Sequence, residues 1–255
     1  MSRRKKALLL AFLLGCFMLT GCRSSITRVK VSERAGENVL PSSSELVLVW
    51  EGEEADGCHT VTLDEQGRAQ FGSCSGPLST GMILSDMERP EDLRHFLSTY
   101  RPFQADTLAG RINFLGHGMK TSEPSEQRAI AEWASIVYRE LLYGRSGASW
   151  GAAIALNREG DNPCNLIQVE IYGRVMANEC DGGISPYPRM WLTTEQLDQL
   201  YKWIDTFSTA ELEFQGKDGQ LMRFYLGGKG KQLATGVELK EMLDWVQTVY
   251  EMVAR

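Results

Sequence analysis

Apolar residues recur at i, i+3, i+4 and i+7 in two stretches of the chain, Leu93, Phe96, Leu97 and Tyr100, then Leu197, Leu200, Tyr201 and Ile204. Each set makes one stripe along an amphipathic helix. The starts fit: Pro90 suits a first helical turn, and Thr193 with Gln196 three residues later resembles a capping box. The spacing predicts that these helices end near Phe103 and Phe207. Two longer helices carry Ile130, Trp133, Val137 and Leu141, and then Met242, Trp245, Val249 and Val253. The matched tryptophans read as core residues that pack a helix onto a sheet. Short apolar runs from Glu45 to Trp50 and from Ala152 to Leu156 predict strands.

After each of these strands the chain repeats itself. Residues 58 to 68, Cys-His-Thr-Val-Thr-Leu-Asp-Glu-Gln-Gly-Arg, align without a gap on residues 164 to 174, Cys-Asn-Leu-Ile-Gln-Val-Glu-Ile-Tyr-Gly-Arg. Cys58 and Cys74 lie 16 residues apart, as do Cys164 and Cys180, and the pairs are displaced by a constant 106. That is a duplication signal. Four cysteines allow three pairings, and the repeat selects Cys58 with Cys74 and Cys164 with Cys180. Each pair then brackets a hairpin whose three-residue loop, Glu65-Gln66-Gly67 or Ile171-Tyr172-Gly173, ends in a glycine suited to a left-handed position. The register sets Val61 opposite Phe71, Leu63 opposite Ala69, Ile167 opposite Ala177 and Val169 opposite Val175, one apolar face per hairpin. Such a bridge contributes about 3 kcal/mol in the chain-entropy description. Zinc binding by four thiolates fits less well, since each pair spans a whole hairpin instead of a two-to-four-residue knuckle.

The segment Asp106 to Gly116 corresponds to Glu211 to Gly227, where the second copy adds Gly216-Lys217-Asp218-Gly219. One long or kinked strand in the first copy is therefore expected to become a hairpin in the second. The expected fold class is α+β: two tandem copies of a β-β-β-α-β(β)-α module with antiparallel sheets and helices packed on them. The first copy takes residues 45–143, a linker 144–151, and the second copy 152–255.

The N-terminus carries a different message. Arg3, Arg4, Lys5 and Lys6 precede an uncharged run from Ala7 to Thr20 that is too short to cross about 30 Å of hydrocarbon at ~1.5 Å per residue. A basic flank before a short apolar run is the export pattern. The run closes in Leu19-Thr20-Gly21-Cys22, which resembles the lipobox of bacterial lipoproteins. Residues 1–21 then read as a signal peptide and 22–44 as the lipidated cysteine with a polar tether, in which the alternation Ile26 to Val31 allows one more strand. The other candidate, Cys16 after Leu14-Gly15, leaves a shorter apolar core and strands Phe17, Met18 and Leu19 in the mature chain. The resemblance implies that Cys22 takes diacylglycerol and further acyl chains such as palmitate. It places the protein on the extracytoplasmic side of the cell membrane or outer membrane, where two or three acyl chains hold it durably at about 0.8 kcal/mol per buried methylene.

Charge narrows the partners. Loss of residues 1–21 removes four basic and no acidic side chains, taking the net charge from −6 to −10. Such acidity repels phosphate backbones, so no nucleic-acid partner is expected. No zincin helix, P-loop, dinucleotide turn or close acidic metal cluster occurs in the sequence, and no cofactor, metal or catalytic residue is assigned. Gly147-Ala148-Ser149-Trp150-Gly151 fits the nucleophile-elbow pattern, yet a helix precedes it, a strand follows it, and no histidine lies beyond Ser149. Of the three histidines, His59 reads as hydrogen-bonded at a sheet end and His95 as solvated. His117, between Gly116 and Gly118, is the candidate ligand or proton binder.

The second copy, with its hairpin, the Leu192-Thr-Thr-Glu-Gln-Leu-Asp-Gln-Leu200 helix start, terminal Phe207, glycine-turn strand pair and final helix, resembles the small emfourin-type modules of bacterial protease inhibitors. The paired cysteines depart from that pattern, and no inhibitory residue carries over. The resemblance implies binding to an envelope protein, such as a protease, without catalysis. The loops Gly76 to Asp86 and Gly182 to Arg189 are the expected contact regions, with Tyr187 and Trp191 as anchors. The alternatives are an extracytoplasmic enzyme with a site between the copies and a purely structural envelope lipoprotein.

Overall fold

The computed structural model describes residues 45–54, 56–79, 82–84, 89–143, 151–159, 164–177, 189–216 and 219–253. The first sheet is built from β1 (Leu46–Glu54), β2 (Gly57–Asp64), β3 (Arg68–Ser73), β4 (Met82–Ile83), β5 (Phe103–Thr107) and β6 (Gly110–Phe114). Helix α1 (Arg89–Thr99) lies between β4 and β5 in the chain, and α2 (Pro124–Tyr143) follows β6. The second sheet comprises β7 (Ala152–Arg158), β8 (Cys164–Glu170), β9 (Arg174–Ala177), β10 (Arg189–Trp191), β11 (Ser208–Gln215) and β12 (Leu221–Lys229), with α3 (Thr194–Thr206) before β11 and α4 (Gly236–Val253) last. The fold is α+β, and both sheets are antiparallel. The strand orders are β4-β3-β2-β1-β6-β5 and β10-β9-β8-β7-β12-β11.

The expected hairpin register holds in both sheets: Val61 faces Phe71, Leu63 faces Ala69, Ile167 faces Ala177 and Val169 faces Val175. Both turns close alike. The Gly67 N–H donates to the Asp64 carbonyl at 3.0 Å and the Gly173 N–H to that of Glu170 at 2.8 Å, with both glycines left-handed at φ 74° and 86°. Cys58 and Cys74 form a disulfide with their Cα atoms 5.5 Å apart. The side chain of Cys164 and all of Cys180 lie outside the described residues, as do Cys22, Ser149 and the tether.

Three features differ from the sequence expectation. Asp106 to Gly116 is no single strand, because β5 and β6 form a hairpin with Thr107 opposite Gly110. The Thr107 hydroxyl accepts from the Ala109 N–H at 3.1 Å and donates to the Gly110 carbonyl at 2.8 Å, and Gly110 sits at φ 117°. A hydroxyl thus does the turn-making that Asn-Gly or Asp-Gly would have announced. Helix α1 ends at Thr99, short of Phe103. Pro102 disfavours helical backbone at Arg101, and Phe103 already starts a strand. Helices α1 and α3 are also each preceded by a short strand, β4 and β10, added to the sheet edge.

The helical stripes are buried as the spacing requires: Leu93, Phe96, Leu97, Leu197, Leu200, Tyr201 and Ile204 all belong to the core. The capping box at Thr193 and Gln196 is formed in both directions. The two long helices diverge. Helix α4 buries a single stripe, Leu239, Met242, Leu243, Val246, Val249 and Val253, as a helix with one solvated side should. Helix α2 is buried almost all round: Ile130, Trp133 and Val137 pack with the first sheet's core, while Glu126, Arg128 and Glu132 on other sides are buried too. Trp133 is fully buried and Trp245 partly, edge-on to Trp203 at 5.4 Å.

Candidate functional site

The buried polar side of α2 and the start of α1 meet the second sheet along a charged seam. Arg89, in the first turn of α1, donates from Nε at 3.1 Å and Nη2 at 2.7 Å to the carboxylate of Glu140 on α2. Its Nη1 donates to Glu170 Oε2 at 3.1 Å and to the Tyr172 hydroxyl, which in turn donates to Asp92 Oδ2 at 3.0 Å. Arg174 closes the cluster, reaching both Asp92 oxygens at 3.2 Å and lying 3.5 Å from Glu170. Both guanidinium groups also stand over the Tyr172 ring, at 5.4 and 5.9 Å from its centre.

All six side chains are buried. Among the described residues, two guanidinium ions face three carboxylates, one surplus negative charge when all are ionised. Burial raises the Asp92 carboxyl above its ordinary range against the pull of Arg174 and Arg89. Burial likewise pushes the Tyr172 phenol well up and keeps it protonated, as its donation to Asp92 requires. Chemically, the cluster fixes α1 and α2 to the β8–β9 turn.

A second set of contacts runs along α2. Arg128 forks onto Asp205 of α3 at 2.6 and 2.7 Å and lies over the Tyr201 ring, 4.1 Å from its centre. Lys229 at the end of β12 donates to both oxygens of Glu132 at 2.8 and 3.0 Å. Glu126 accepts from the Thr194 hydroxyl at 2.9 Å, from the Glu123 N–H at 2.9 Å and from Lys120. Burial opposes ionisation of Glu126, but Lys120 and these donors outweigh it and hold the carboxyl below its ordinary value.

Between α2 and the second sheet lies a cavity of about 200 Å³, lined by Glu132, Ile136, Arg139, Ala152, Tyr225 and Lys229 among others. Gly151 helps to keep it open, since a Cβ there would stand 3.2 Å from Ile136 Cδ1. Its cations Lys229 and Arg139 are engaged, with Glu132 and with Glu54 at 3.0 Å. Its mixed lining suits a small polar molecule better than an apolar one.

The residues singled out in the sequence do not converge there. His117 is exposed, in the loop after β6, and its backbone N–H donates to the Leu97 carbonyl at 2.9 Å. Trp191 is partly buried: its ring stacks on His95 at 4.2 Å and meets Phe96 edge-on at 5.0 Å. His95 is therefore not the solvated residue its place on the helix suggested, and burial lowers its pKa. His59 is hydrogen-bonded at a sheet end, to Asp56 at 2.7 Å. Tyr187 and the stretch 182–188 lie outside the described residues. Among the described residues no group of three or more metal-ligating side chains forms.

The seam escaped the sequence reading, although one signal pointed to it. Glu65 and Gln66 occupy the first hairpin loop and are exposed, whereas Ile171 and Tyr172 occupy the equivalent loop and are buried. An apolar pair at a hairpin tip requires something packed against it. Comparison with protein-family models, with curated proteins and with solved structures finds no match.

Proposed function

We propose that this chain is an exported lipoprotein, cut before Cys22 and acylated there, whose folded part is a tandem pair of α+β modules that binds another protein without catalysis. The observation that carries the reading is the N-terminal pattern: four basic residues, an uncharged run and Leu19-Thr20-Gly21-Cys22. The Cys58–Cys74 disulfide supports an oxidising, extracytoplasmic compartment. Tandem duplication is supported by the shared strand order and by hairpins that agree in register and turn. A Cys164–Cys180 bridge belongs to the same proposal, and non-reducing peptide mapping tests it, a bridge between the copies being the contrary result.

The charged groups of the seam favour binding over chemistry, since Arg89, Arg174, Asp92, Glu140 and Glu170 are engaged with one another away from solvent. The emfourin-type resemblance makes a protease the first partner class to assay. The decisive experiment is labelling with a radioactive fatty acid in cells expressing the chain or Cys22→Ser. The parent incorporates label and stays with the membranes, and Cys22→Ser does neither. A Cys22→Ser chain that is still lipid-modified refutes the assignment.

A further inference from the structure

Among the described residues the second sheet ends in a strand with an open edge. β11 pairs with β12 on one side, and among the described residues its other side is met at its start, where the Ser208 N–H donates to the Gln232 carbonyl at 2.8 Å. The turn into β12 decides which backbone groups are left over. The Gly216 N–H donates to the Gln220 carbonyl at 2.9 Å, and alternation along an antiparallel pair then directs Phe214, Leu212 and Ala210 towards β12. The N–H and C=O groups of Gln215, Glu213 and Glu211 point outward. Side chains follow the same period: Ala210, Leu212 and Phe214 are half-buried against the core, while Glu211 and Glu213 are exposed on the opposite face.

Among the described residues that face has more acid than base. Arg223, opposite Glu213 in the register, lies 2.6 Å from Glu213, 2.8 Å from Glu159 and 4.0 Å from Glu211, so one guanidinium serves three carboxylates. The corresponding edge of the first sheet, β5, offers five residues instead of eight, and there Arg111 serves two carboxylates, Asp106 and Glu51.

We propose that β11 is a docking edge for an extended segment of a partner protein in which basic and apolar residues alternate, taken up by strand addition. The proposal rests on the protein-binding reading above and names the chemistry of the partner. The added strand bonds to the outward groups of Glu211, Glu213 and Gln215. Its basic residues lie beside Glu211 and Glu213, and its apolar residues continue the row of Leu212 and Phe214. A second copy of this chain is disfavoured at the same place, because β11 paired with itself sets glutamates against glutamates. The charges that guard the edge against self-association thereby select a cationic strand.

The test is a fluorescence-anisotropy titration of the full chain, purified in non-ionic detergent, with a labelled peptide of four Lys-Val repeats. Saturable one-to-one binding is expected, with no binding of the Glu-Val counterpart. The double variant Glu211→Lys, Glu213→Lys should weaken it about tenfold or more. Methylation of alternate peptide nitrogens, which leaves the charge unchanged, should weaken it as much. Absence of binding, or a double variant that binds like the parent, overturns the proposal. So does a methylated peptide that binds undiminished, because the acidic surface then merely adsorbs a polycation. Loss of a protease's peptidase activity on addition of the full chain reads the protein-binding proposal independently of β11, so each idea fails separately.

Discussion

Two residues in equivalent places show how far neighbours decide a side chain's role. Arg68 and Arg174 each follow the glycine of a hairpin loop. The Arg68 side chain is 41% exposed and lies 3.9 Å from Asp64, whereas that of Arg174 is 2% exposed and bound to Asp92. The Gly-Arg pair and the turn are the same; the start of α1 covers one arginine and not the other. Buried acids in the seam should respond to pH with opposite signs. Asp92 has a raised pKa, so the fold favours its protonated form, and its contribution to stability is fullest below 3.8 and is lost as pH rises through the higher folded value. Glu126 has a lowered pKa, so its contribution is fullest above 4.5 and is lost as pH falls through the lower folded value. Urea unfolding of Asp92→Asn and Glu126→Gln beside the parent from pH 3 to 7 should therefore show the parent's advantage over the first shrinking as pH rises, and over the second growing. Equal slopes would contradict the seam as described.

At the scale of elements, the hairpins were legible because their information is local. Strand period, cysteine spacing and a loop-ending glycine all favour one register, and a slip by one residue would turn the whole apolar face to solvent. The two loop glycines should nevertheless tolerate substitution differently. A Cβ on Gly67 would stand 3.5 Å from Leu84, an ordinary contact, whereas one on Gly173 would come within 2.6 Å of Leu197 Cδ2. Both adopt left-handed backbone, which costs a residue with a Cβ about 1–2 kcal/mol. Gly67→Ala should thus lose about that amount, and Gly173→Ala measurably more, in a thermal-denaturation comparison. Equal losses would mean that α3 yields freely at Leu197. The β5–β6 turn was missed because Thr107 and Gly110 build it through a hydroxyl, a feature that apolar periodicity does not register.

For the molecule as a whole, α2 is the shared element. Its apolar side belongs to the first sheet's core, and its polar side holds α3 through Arg128 and β12 through Glu132. Buried residues of both sheets form one continuous apolar cluster. The region from residue 43 to 255 should consequently unfold in one step, with tryptophan fluorescence and far-ultraviolet circular dichroism tracing the same urea curve. Two resolved transitions would show that the seam does not couple the sheets.

By itself the sequence determined the α+β class, the registers of the two repeated hairpins, the Cys58–Cys74 bridge and the buried stripes of α1 and α3, because each follows from short-range periodicity, turn geometry or a repeated spacing. Tertiary structure decided why two similar long helices differ, α2 buried almost all round and α4 solvated on one side. It also decided that Arg89, Asp92, Glu140, Glu170, Tyr172 and Arg174 converge, and that β11 is left at an edge. Those outcomes depend on which surfaces meet after the elements have formed, and residues some 80 positions apart, such as Arg89 and Glu170, carry no mark of one another in the pattern of either segment.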